Sequence, residues 1–281
     1  MNLSDINTIR ALLQKNGFTF KKSLGQNFLI NPDVCPAMAD AACDKDTGVI
    51  EIGPGIGVLT AELSARAKRV IAIELDERLK KILPVTLSEC ENVEIIYGDV
   101  LKTDLKALIA EKFSDCKRVA VCANLPYYIT SPIVMSLLES RLPINSITVM
   151  VQKEAAERLC AKVGTRQAGA VSVAVSYYAE PEILFGVDKD SFMPPPKVDS
   201  AVIQLHIREN PPVAVNDESK FFRLVKACFA QRRKTLVNTV SGTAGIDKES
   251  IKKALAKLSL SETVRGERLT LEELAELSNL I

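Results

Sequence analysis

Residues 49–57 read VIEIGPGIG, a short apolar run that leads directly into closely spaced glycines. A helical pattern, Val58–Ala67, follows them. Glycines at such a junction let the backbone pass close to a ligand, while the N–H groups at the start of the helix face it. The stretch therefore predicts a strand, a turn and a helix that together bind a nucleotide-like cofactor.

Short β-branched runs and helical patterns alternate around this stretch. The candidate strands are Val49–Ile52, Arg69–Glu74, Val93–Tyr97, Arg118–Ala123 and Ser146–Val151. The candidate helices between them are Val58–Ala67, Glu77–Ser88, Leu101–Lys112 and Ser131–Ser140. This alternation predicts an α/β fold with a doubly wound, Rossmann-like sheet. Two later runs, Glu182–Val187 and Val198–Ile207, flank a proline-rich loop, and we expect them to form a hairpin-like pair on the sheet.

Strand patterns disappear after Pro211 and Pro212, and the remaining residues show only helical patterns. The predicted helices are Glu218–Val240, Lys248–Leu258 and Thr270–Leu280. Thr270 and Glu273 have the spacing of a capping box at the start of the last helix. We therefore expect a larger domain over residues 1–210 and a smaller helical domain over residues 211–281.

The composition excludes several classes of chemistry. No stretch of the 281 residues approaches the length of a membrane span, and residues 1–18 lack the apolar core of a secretory signal, so we expect a globular, soluble, cytoplasmic protein. The seven cysteines include no C-x-x-C pair and are expected to be reduced thiols. His206 is the only histidine, which argues against histidine acid/base catalysis and against a metal site.

Glu74 lies 21 residues after Gly53, at the end of the second predicted strand, where a carboxylate can accept hydrogen bonds from a ribose diol. A dinucleotide fingerprint would require glycine at position 58, but Val58 stands there. The glycines, preceded by Glu51, instead resemble the first motif of S-adenosylmethionine methyltransferases. Asp99 then falls where such enzymes place a carboxylate on the adenine amino group, although an aspartate in this turn could equally cap a helix.

Asn124-Leu125-Pro126-Tyr127 follows the fourth predicted strand, at the edge of the sheet where ligands of open α/β folds bind. The tetrapeptide could be an ordinary turn. It could also bind the amino group of an adenine, because the Asn124 side-chain oxygen and the Leu125 carbonyl could accept hydrogen bonds from both amine hydrogens. Tyr127 would stack on the base. Phe192, which we expect to be exposed on its proline-rich loop, is the candidate for the other face of the base.

Several motifs together resemble the bacterial KsgA family of small-subunit ribosomal RNA adenine dimethyltransferases. They are Lys22–Leu29, the glycine loop, Asn124–Pro132, Phe192–Val202 and Cys228–Leu236. The resemblance implies transfer of four methyl groups from S-adenosylmethionine to two adjacent adenosines near the 3′ end of 16S ribosomal RNA. It also implies that residues 1–210 form the methyltransferase domain with an N-terminal extension, and that residues 211–281 contact the ribosome.

The resemblance further implies roles for single residues. The cofactor positions are Asn27, Leu29, Gly53, Gly55, Glu74, Asp99 and Asn124. The resemblance places Asn124 and Tyr127 at the target base and Phe192 at its other face. The predicted catalytic residues are Asn124, Leu125, Pro126, Tyr127 and Phe192.

Basic residues without intervening acids run from Ser219 to Ile246, although the net charge of the chain is only +1. The predicted RNA-binding residues are Arg223, Lys226, Arg232, Arg233 and Lys234. Spacings of three and seven place Arg223, Lys226 and Arg233 on one face of the predicted helix, which could also be an ordinary solvated face. Contacts to phosphates position RNA without reading its bases. A near-neutral protein with one basic face can therefore bind RNA whose shape a ribosomal particle has already fixed. We expect a monomer that binds 16S RNA in the 30S subunit or its precursor, with no membrane or DNA partner.

Other functions remain open at this point. A large-subunit ribosomal RNA adenine methyltransferase of the antibiotic-resistance type would share the fold and a similar base-gripping motif. A DNA adenine methyltransferase would need a target-recognition domain, which the sequence does not indicate. From another class, the chain could be a ribosome assembly factor whose catalysis is incidental.

Overall fold

The computed structural model describes Leu3 and residues 5–18, 27–231 and 233–281. These residues form two compact units, Met1–Ala156 with Glu182–Ile207 and Glu157–Pro181 with Arg208–Ile281. We expected a single boundary near Pro211. The second unit instead begins again at Arg208 and also contains the segment Glu157–Pro181. The roles expected for the two domains remain predictions.

Seven strands form the main sheet: β2 Thr47–Ile52, β3 Arg69–Glu74, β4 Val93–Tyr97, β5 Arg118–Asn124, β6 Ser146–Gln152, β7 Ala179–Val187 and β9 Ser200–Ile207. Their order in the sheet is β4-β3-β2-β5-β6-β9-β7. The pairs from β4 to β6 are parallel, and β9 runs antiparallel to β6. All six residues of β2 are buried, as expected for a strand covered on both faces. The predicted Rossmann-like sheet is confirmed, with a mixed edge.

A second, two-stranded sheet pairs β1, Phe28–Leu29, with β8, Phe192–Met193, in antiparallel register. The sequence patterns did not indicate either strand, because two residues are too few to show a periodicity. The pairing attaches the segment before the first helix of the α/β core to the proline-rich loop.

The helices of the first unit are α1 Ile6–Lys15, α2 Val34–Ala42, α3 Val58–Arg66, α4 Leu83–Thr86, α5 Leu105–Lys112 and α6 Thr130–Glu139. The chain passes from the first unit to the second within α7, Lys153–Leu159. Two predicted helices are shorter than expected. The pattern Glu77–Ser88 forms a 3₁₀ turn over Glu77–Lys81 and then α4, whose first turn carries Pro84. The pattern Leu101–Lys112 is broken because Asp104 caps α5, with its Oδ1 accepting from the Ala107 N–H at 3.0 Å.

The helices of the second unit are α8 Ala170–Tyr178, α9 Glu218–Phe229, α10 Leu236–Ala244, α11 Lys248–Lys257 and α12 Leu271–Leu280. The prediction of one helix over Glu218–Val240 is wrong. The chain turns after Phe229, and α10 begins anew with Thr235 as its N-cap residue.

The predicted capping box of α12 is confirmed by two hydrogen bonds between Thr270 and Glu273. The Glu273 N–H donates to Thr270 Oγ1 at 3.2 Å, and the Thr270 N–H donates to Glu273 Oε2 at 2.8 Å.

An aromatic contact packs α8 against α9: the ring centres of Tyr177 and Phe221 lie 5.4 Å apart. Among the described residues, no helix has both the length and the apolar character needed to span a bilayer.

Candidate active site

A cleft of about 1270 Å³, counting its open mouth, lies at the carboxyl ends of β2, β3 and β5. Parallel strands bring their carboxyl ends to one edge of a sheet, so residues far apart in sequence meet there. Every residue predicted to bind the cofactor or the target base lines this cleft: Asn27, Leu29, Gly53, Gly55, Glu74, Asp99, Asn124, Leu125, Pro126, Tyr127 and Phe192. The residues Lys22–Gln26 of the first motif lie outside the described residues. The fold thus brings the predicted site residues together in one cleft. Their individual roles remain predictions.

The glycine loop between β2 and α3 adopts backbone angles that other residues rarely reach. The φ angles of Gly53 and Gly57 are +70° and +94°. A Cβ atom on Gly57 would also lie 2.9 Å from Leu87 Cδ2. The loop therefore requires glycine at these positions, for conformation at Gly53 and for both conformation and space at Gly57.

The Glu74 carboxylate is buried at the end of β3 and is held by backbone donors on both oxygens. The Gly55 N–H donates to Oε2 at 3.2 Å, and the Asp76 N–H donates to Oε1 at 2.7 Å. Burial raises the pKa of Glu74, and these hydrogen bonds partly oppose the rise. Each carboxylate oxygen can accept a further hydrogen bond, so the fixed group is suited to a pair of hydroxyls.

Asp99 both lines the cleft and caps a turn. Its Oδ1 accepts from the Leu101 N–H at 3.0 Å at the start of the 3₁₀ turn Val100–Lys102. The capping interpretation of Asp99 is therefore correct. Capping does not exclude a contact with an adenine amino group, because among the described residues the second carboxylate oxygen has only Lys102 Nζ near it, at 3.8 Å.

Asn124 ends β5, and the chain leaves the sheet at Leu125, whose N–H donates to the Met150 carbonyl at 3.2 Å. Within the described residues, neither the Asn124 side chain nor the Leu125 carbonyl takes part in a hydrogen bond. The Pro126 carbonyl, by contrast, accepts from the Ile129 N–H at 3.1 Å. The Asn124 side-chain oxygen and the Leu125 carbonyl are therefore two neighbouring hydrogen-bond acceptors, in residues that line the cleft, that no described residue uses.

Tyr127 is held by a residue that the sequence analysis did not single out. Its hydroxyl and the Ser200 hydroxyl lie 2.8 Å apart, and Ser200 is 1% exposed at the start of β9. Burial raises the pKa of the Tyr127 hydroxyl, so the group is a neutral phenol at physiological pH. The position of Ser200 inside the motif Phe192–Val202 was the available signal.

The expectation that Phe192 is exposed is wrong, because its side chain is 3% exposed. Its backbone pairs with Leu29 across the small sheet, and its side chain belongs to a core cluster that includes Met38 and Met150. Phe192 therefore forms part of the wall of the cleft.

Glu51 is a second residue whose importance the sequence did not reveal beyond its place before the glycines. The side chain lies in the wall of the cleft and is 1% exposed. Burial raises the pKa of Glu51 to about 8. The carboxyl group is therefore mostly protonated at neutral pH.

The predicted RNA-binding residues lie in the second unit. Arg223 and Lys226 are exposed on α9, and Arg233 and Lys234 are exposed in the turn that follows it. Arg232 lies outside the described residues. The expected single helical face is wrong, since α9 ends at Phe229 and Arg233 is not on a helix.

Comparison with known proteins identifies the family. The family model described as ribosomal RNA adenine dimethylase matches residues 17–279. The chain is 52% identical to the ribosomal RNA small subunit methyltransferase A of Geobacillus thermodenitrificans, over 97% of this chain and 94% of the relative. It is 50% identical to the protein of the same name from Bacillus licheniformis, over 96% and 94% of the two chains.

Solved structures agree on the fold. A dimethyladenosine transferase from Plasmodium falciparum superposes with a TM-score of 0.70 at 26% identity, covering 89% of this chain and 95% of that one. The 23S rRNA methyltransferase ErmE gives a TM-score of 0.69 at 28% identity, covering 90% and 99%. The chain belongs to the family of ribosomal RNA adenine dimethylases and is an enzyme of that class.

Proposed function

We propose that this enzyme dimethylates the exocyclic amines of two adjacent adenosines near the 3′ end of 16S ribosomal RNA, with S-adenosylmethionine as methyl donor. The observation that carries the proposal is the pair of unused acceptors, the Asn124 side chain and the Leu125 carbonyl, beside the anchored ring of Tyr127. The names of the relatives that are about half identical over nearly the whole chain support the small-subunit substrate.

The residues of the cleft fit the proposed cofactor. Gly53 and Gly55 leave the backbone of the loop open to close approach, and the fixed Glu74 carboxylate can accept from a ribose diol. Asn27, Leu29, Asp99 and Asn124 complete the proposed cofactor site. S-adenosylmethionine supplies a methyl group activated by a positively charged sulfur.

Asn124 and Leu125 orient the target amine. The lone pair of an adenine amine is delocalised into the ring, so the amine is a poor nucleophile until its hydrogens are held out of the ring plane. The Asn124 side-chain oxygen and the Leu125 carbonyl accept these hydrogens, and positioning replaces a strong general base. In the second methylation only one hydrogen remains, so one acceptor suffices.

Tyr127 provides the stacking surface for the base. Its hydrogen bond to Ser200 fixes the ring in the cleft before RNA arrives. Phe192 lines the cleft and is proposed for the opposite face of the base, although its side chain is 3% exposed and presents little surface to it.

The exposed cations of the second unit are proposed to hold the RNA backbone. Arg223, Lys226, Arg233 and Lys234 form no ion pair with another described residue. Charges without partners can contact phosphates at little desolvation cost. We propose that Arg232 acts with them, and that the monomeric enzyme recognises RNA within the small subunit or its precursor.

The alternatives make different predictions about the substrate. The ErmE structure shows that a 23S enzyme shares this fold, but its identity to the chain is 28%, against 52% for the small-subunit relative. A ribosome assembly factor with incidental catalysis would bind the particle without transferring methyl groups at a useful rate.

The test is methyl transfer from labelled S-adenosylmethionine to undermethylated small subunits, with large subunits and DNA as competing substrates. Mass spectrometry should locate dimethyladenosine in 16S RNA alone. Asn124→Ala should lower single-turnover transfer by about 10²–10³-fold, as expected for loss of an oriented hydrogen-bond partner. Asn216→Ala, which removes an exposed amide whose side chain is not in the cleft, is the matched control. Dimethylation confined to large subunits would overturn the proposed substrate, and binding without any wild-type transfer would overturn the proposed activity.

A further inference from the structure

Glu51 occupies an unusual position for a carboxylate. It lies in the middle of the sheet, with Ala72 of β3 and Cys122 of β5 as its neighbours in register. The side chain is 1% exposed and shares the wall of the cleft with Cys35 and Met38. A carboxyl group in such surroundings carries a large desolvation cost when it ionises.

Among the described residues, only Thr60 offsets this cost, and burial still raises the pKa of Glu51. Within the described residues, Glu51 Oε2 has no hydrogen-bond partner, and the same is true of the nearby Thr60 hydroxyl. Buried polar atoms are almost always compensated, so an orphaned carboxylate oxygen in a cleft wall indicates that a bound ligand compensates it, by a hydrogen bond or by charge.

The charged and titratable groups around Glu51 indicate the sign of that ligand. Glu74 on β3, Cys35 on α2 and Cys122 on β5 lie close enough to interact electrostatically with Glu51. The Glu74 charge raises the pKa of Glu51 and adds to the effect of burial, whereas Thr60 lowers it. None of the described residues that shift the pKa of Glu51 carries a positive charge. A positively charged ligand would therefore stabilise the ionised carboxylate, which has no cation beside it among the described residues.

We propose that Glu51 selects the positively charged methyl donor over the neutral-sulfur product by releasing a proton when the donor binds, an inference that rests on the proposed function. The O–H bond of the carboxyl group breaks, the proton passes to solvent through the open mouth of the cleft, and the carboxylate that remains would compensate the positive charge of the donor's sulfur. After the methyl group has left, that sulfur is an uncharged thioether. Glu51 then takes a proton back from solvent, and the product is held less tightly than the donor.

Two positive groups of the donor could act on Glu51, the sulfonium and the amino-acid ammonium. Selection of donor over product requires the sulfonium, because the ammonium is present in both. Three probes separate them. S-adenosylmethionine carries both groups, S-adenosylhomocysteine only the ammonium, and 5′-methylthioadenosine neither.

The test is isothermal titration calorimetry of the complete protein at pH 7, in buffers with different heats of ionisation, which counts protons released on binding. With a pKa of about 8, Glu51 is neutral in ~90% of empty molecules at pH 7. S-adenosylmethionine should therefore release up to ~0.9 proton through Glu51. S-adenosylhomocysteine should release less than half as much, and 5′-methylthioadenosine almost none.

Three variants identify the source of the proton. Glu51→Gln should abolish the difference between donor and product in proton release and should bind the two with more similar affinity. Glu62→Gln removes a half-exposed carboxylate on α3 and should behave as wild type. Cys35→Ala should also retain the release, because burial raises the pKa of the Cys35 thiol and keeps it protonated throughout.

The pH dependence of binding gives a second measurement. From pH 7 to pH 9 the affinity of wild type for S-adenosylmethionine should rise about ten-fold relative to Glu51→Gln, which corrects for titration of the donor itself. Equal proton release with donor and product would overturn the selection, as would unchanged release in Glu51→Gln. If Glu51→Gln does not fold, the comparison of the two ligands on wild type still decides the question. Failure of wild type to bind S-adenosylmethionine at all would instead overturn the proposed function.

Discussion

At the scale of single residues, the cleft combines fixed groups with groups whose hydrogen-bond capacity is unused. Glu74 and Tyr127 are each held by a partner within the protein, Gly55 and Ser200. Asn124 and Glu51 instead present oxygen atoms that no described residue satisfies. Held groups define the shape of the site, and unsatisfied groups define the ligand chemistry that it can accept.

The Tyr127–Ser200 hydrogen bond leads to a prediction about RNA binding. Ser200→Ala and Tyr127→Phe each remove this bond while the stacking ring remains, so each should raise the KM for the small subunit about three- to ten-fold. Donor binding, measured by calorimetry, should stay within two-fold of wild type.

The double variant provides the control. If the bond positions the ring, Ser200→Ala combined with Tyr127→Phe should have the effect of one change alone, because the second removes nothing further. Additive losses in the double variant would contradict this role for Ser200.

At the scale of elements, the buried strands were the easiest parts of the fold to predict. The predicted run Arg69–Glu74 matches β3 residue for residue, and Arg118–Ala123 falls one residue short of β5. Strands buried on both faces show near-continuous runs of β-branched residues, which is a local signal. The carboxyl edge of these strands then determined most of the candidate site.

Elements that depend on distant contacts could not be predicted in this way. Phe192 was expected on an exposed loop because its neighbours are prolines, but its pairing with Leu29 across more than 160 residues buries it. The apolar spacing of Glu218–Val240 continues through the turn, so it did not indicate where α9 ends. In both cases tertiary contacts override the local pattern.

The junction of β2 and α3 gives a prediction about stability. Gly57→Ala places a Cβ at a φ angle of +94° and 2.9 Å from Leu87 Cδ2, so it should destabilise the protein by roughly 1–3 kcal/mol. Gly242→Ala, on α10, is the matched control, because the added Cβ would meet no atom within 4 Å beyond its chain neighbours and the backbone of its own helix, and it should stabilise by about 0.5–1 kcal/mol. Urea unfolding measures both changes, and equal stabilities of the two variants would contradict the steric argument.

At the scale of the whole molecule, the net charge is small and the positive charge is locally concentrated. The net charge is +1, yet Arg223 and Arg233 belong to a basic stretch of the second unit that contains no acidic residue. Such a distribution favours contact with a preorganised polyanion over general adhesion to nucleic acid.

Charge reversal at Arg223 and Arg233 should therefore weaken binding to small subunits by at least about ten-fold at low salt, because two phosphate contacts become repulsive. The loss should diminish as salt is raised, and the affinity for S-adenosylmethionine should be unchanged. Lys257→Glu, which reverses a single exposed lysine on α11, is the control for charge reversal elsewhere in the second unit. Equal loss of particle and donor binding would indicate damage to the fold rather than loss of an RNA contact.

The titration of Glu51 couples the stability of the whole molecule to pH. The pKa of Glu51 is about 8 in the folded protein, raised from an ordinary value of 4.5, so between these values the folded state binds more protons than the unfolded state. Stability should therefore fall as pH rises through this window, by an amount on the order of a few kcal/mol. Glu51→Gln cannot ionise, so without ligand it should unfold at higher urea concentration than wild type at pH 8.5 and at a similar concentration at pH 5. Glu62→Gln should show no such pH-dependent gain, since that side chain is half-exposed and paired with Arg66. A difference between wild type and Glu51→Gln that is the same at both pH values would show that Glu51 does not carry the coupling.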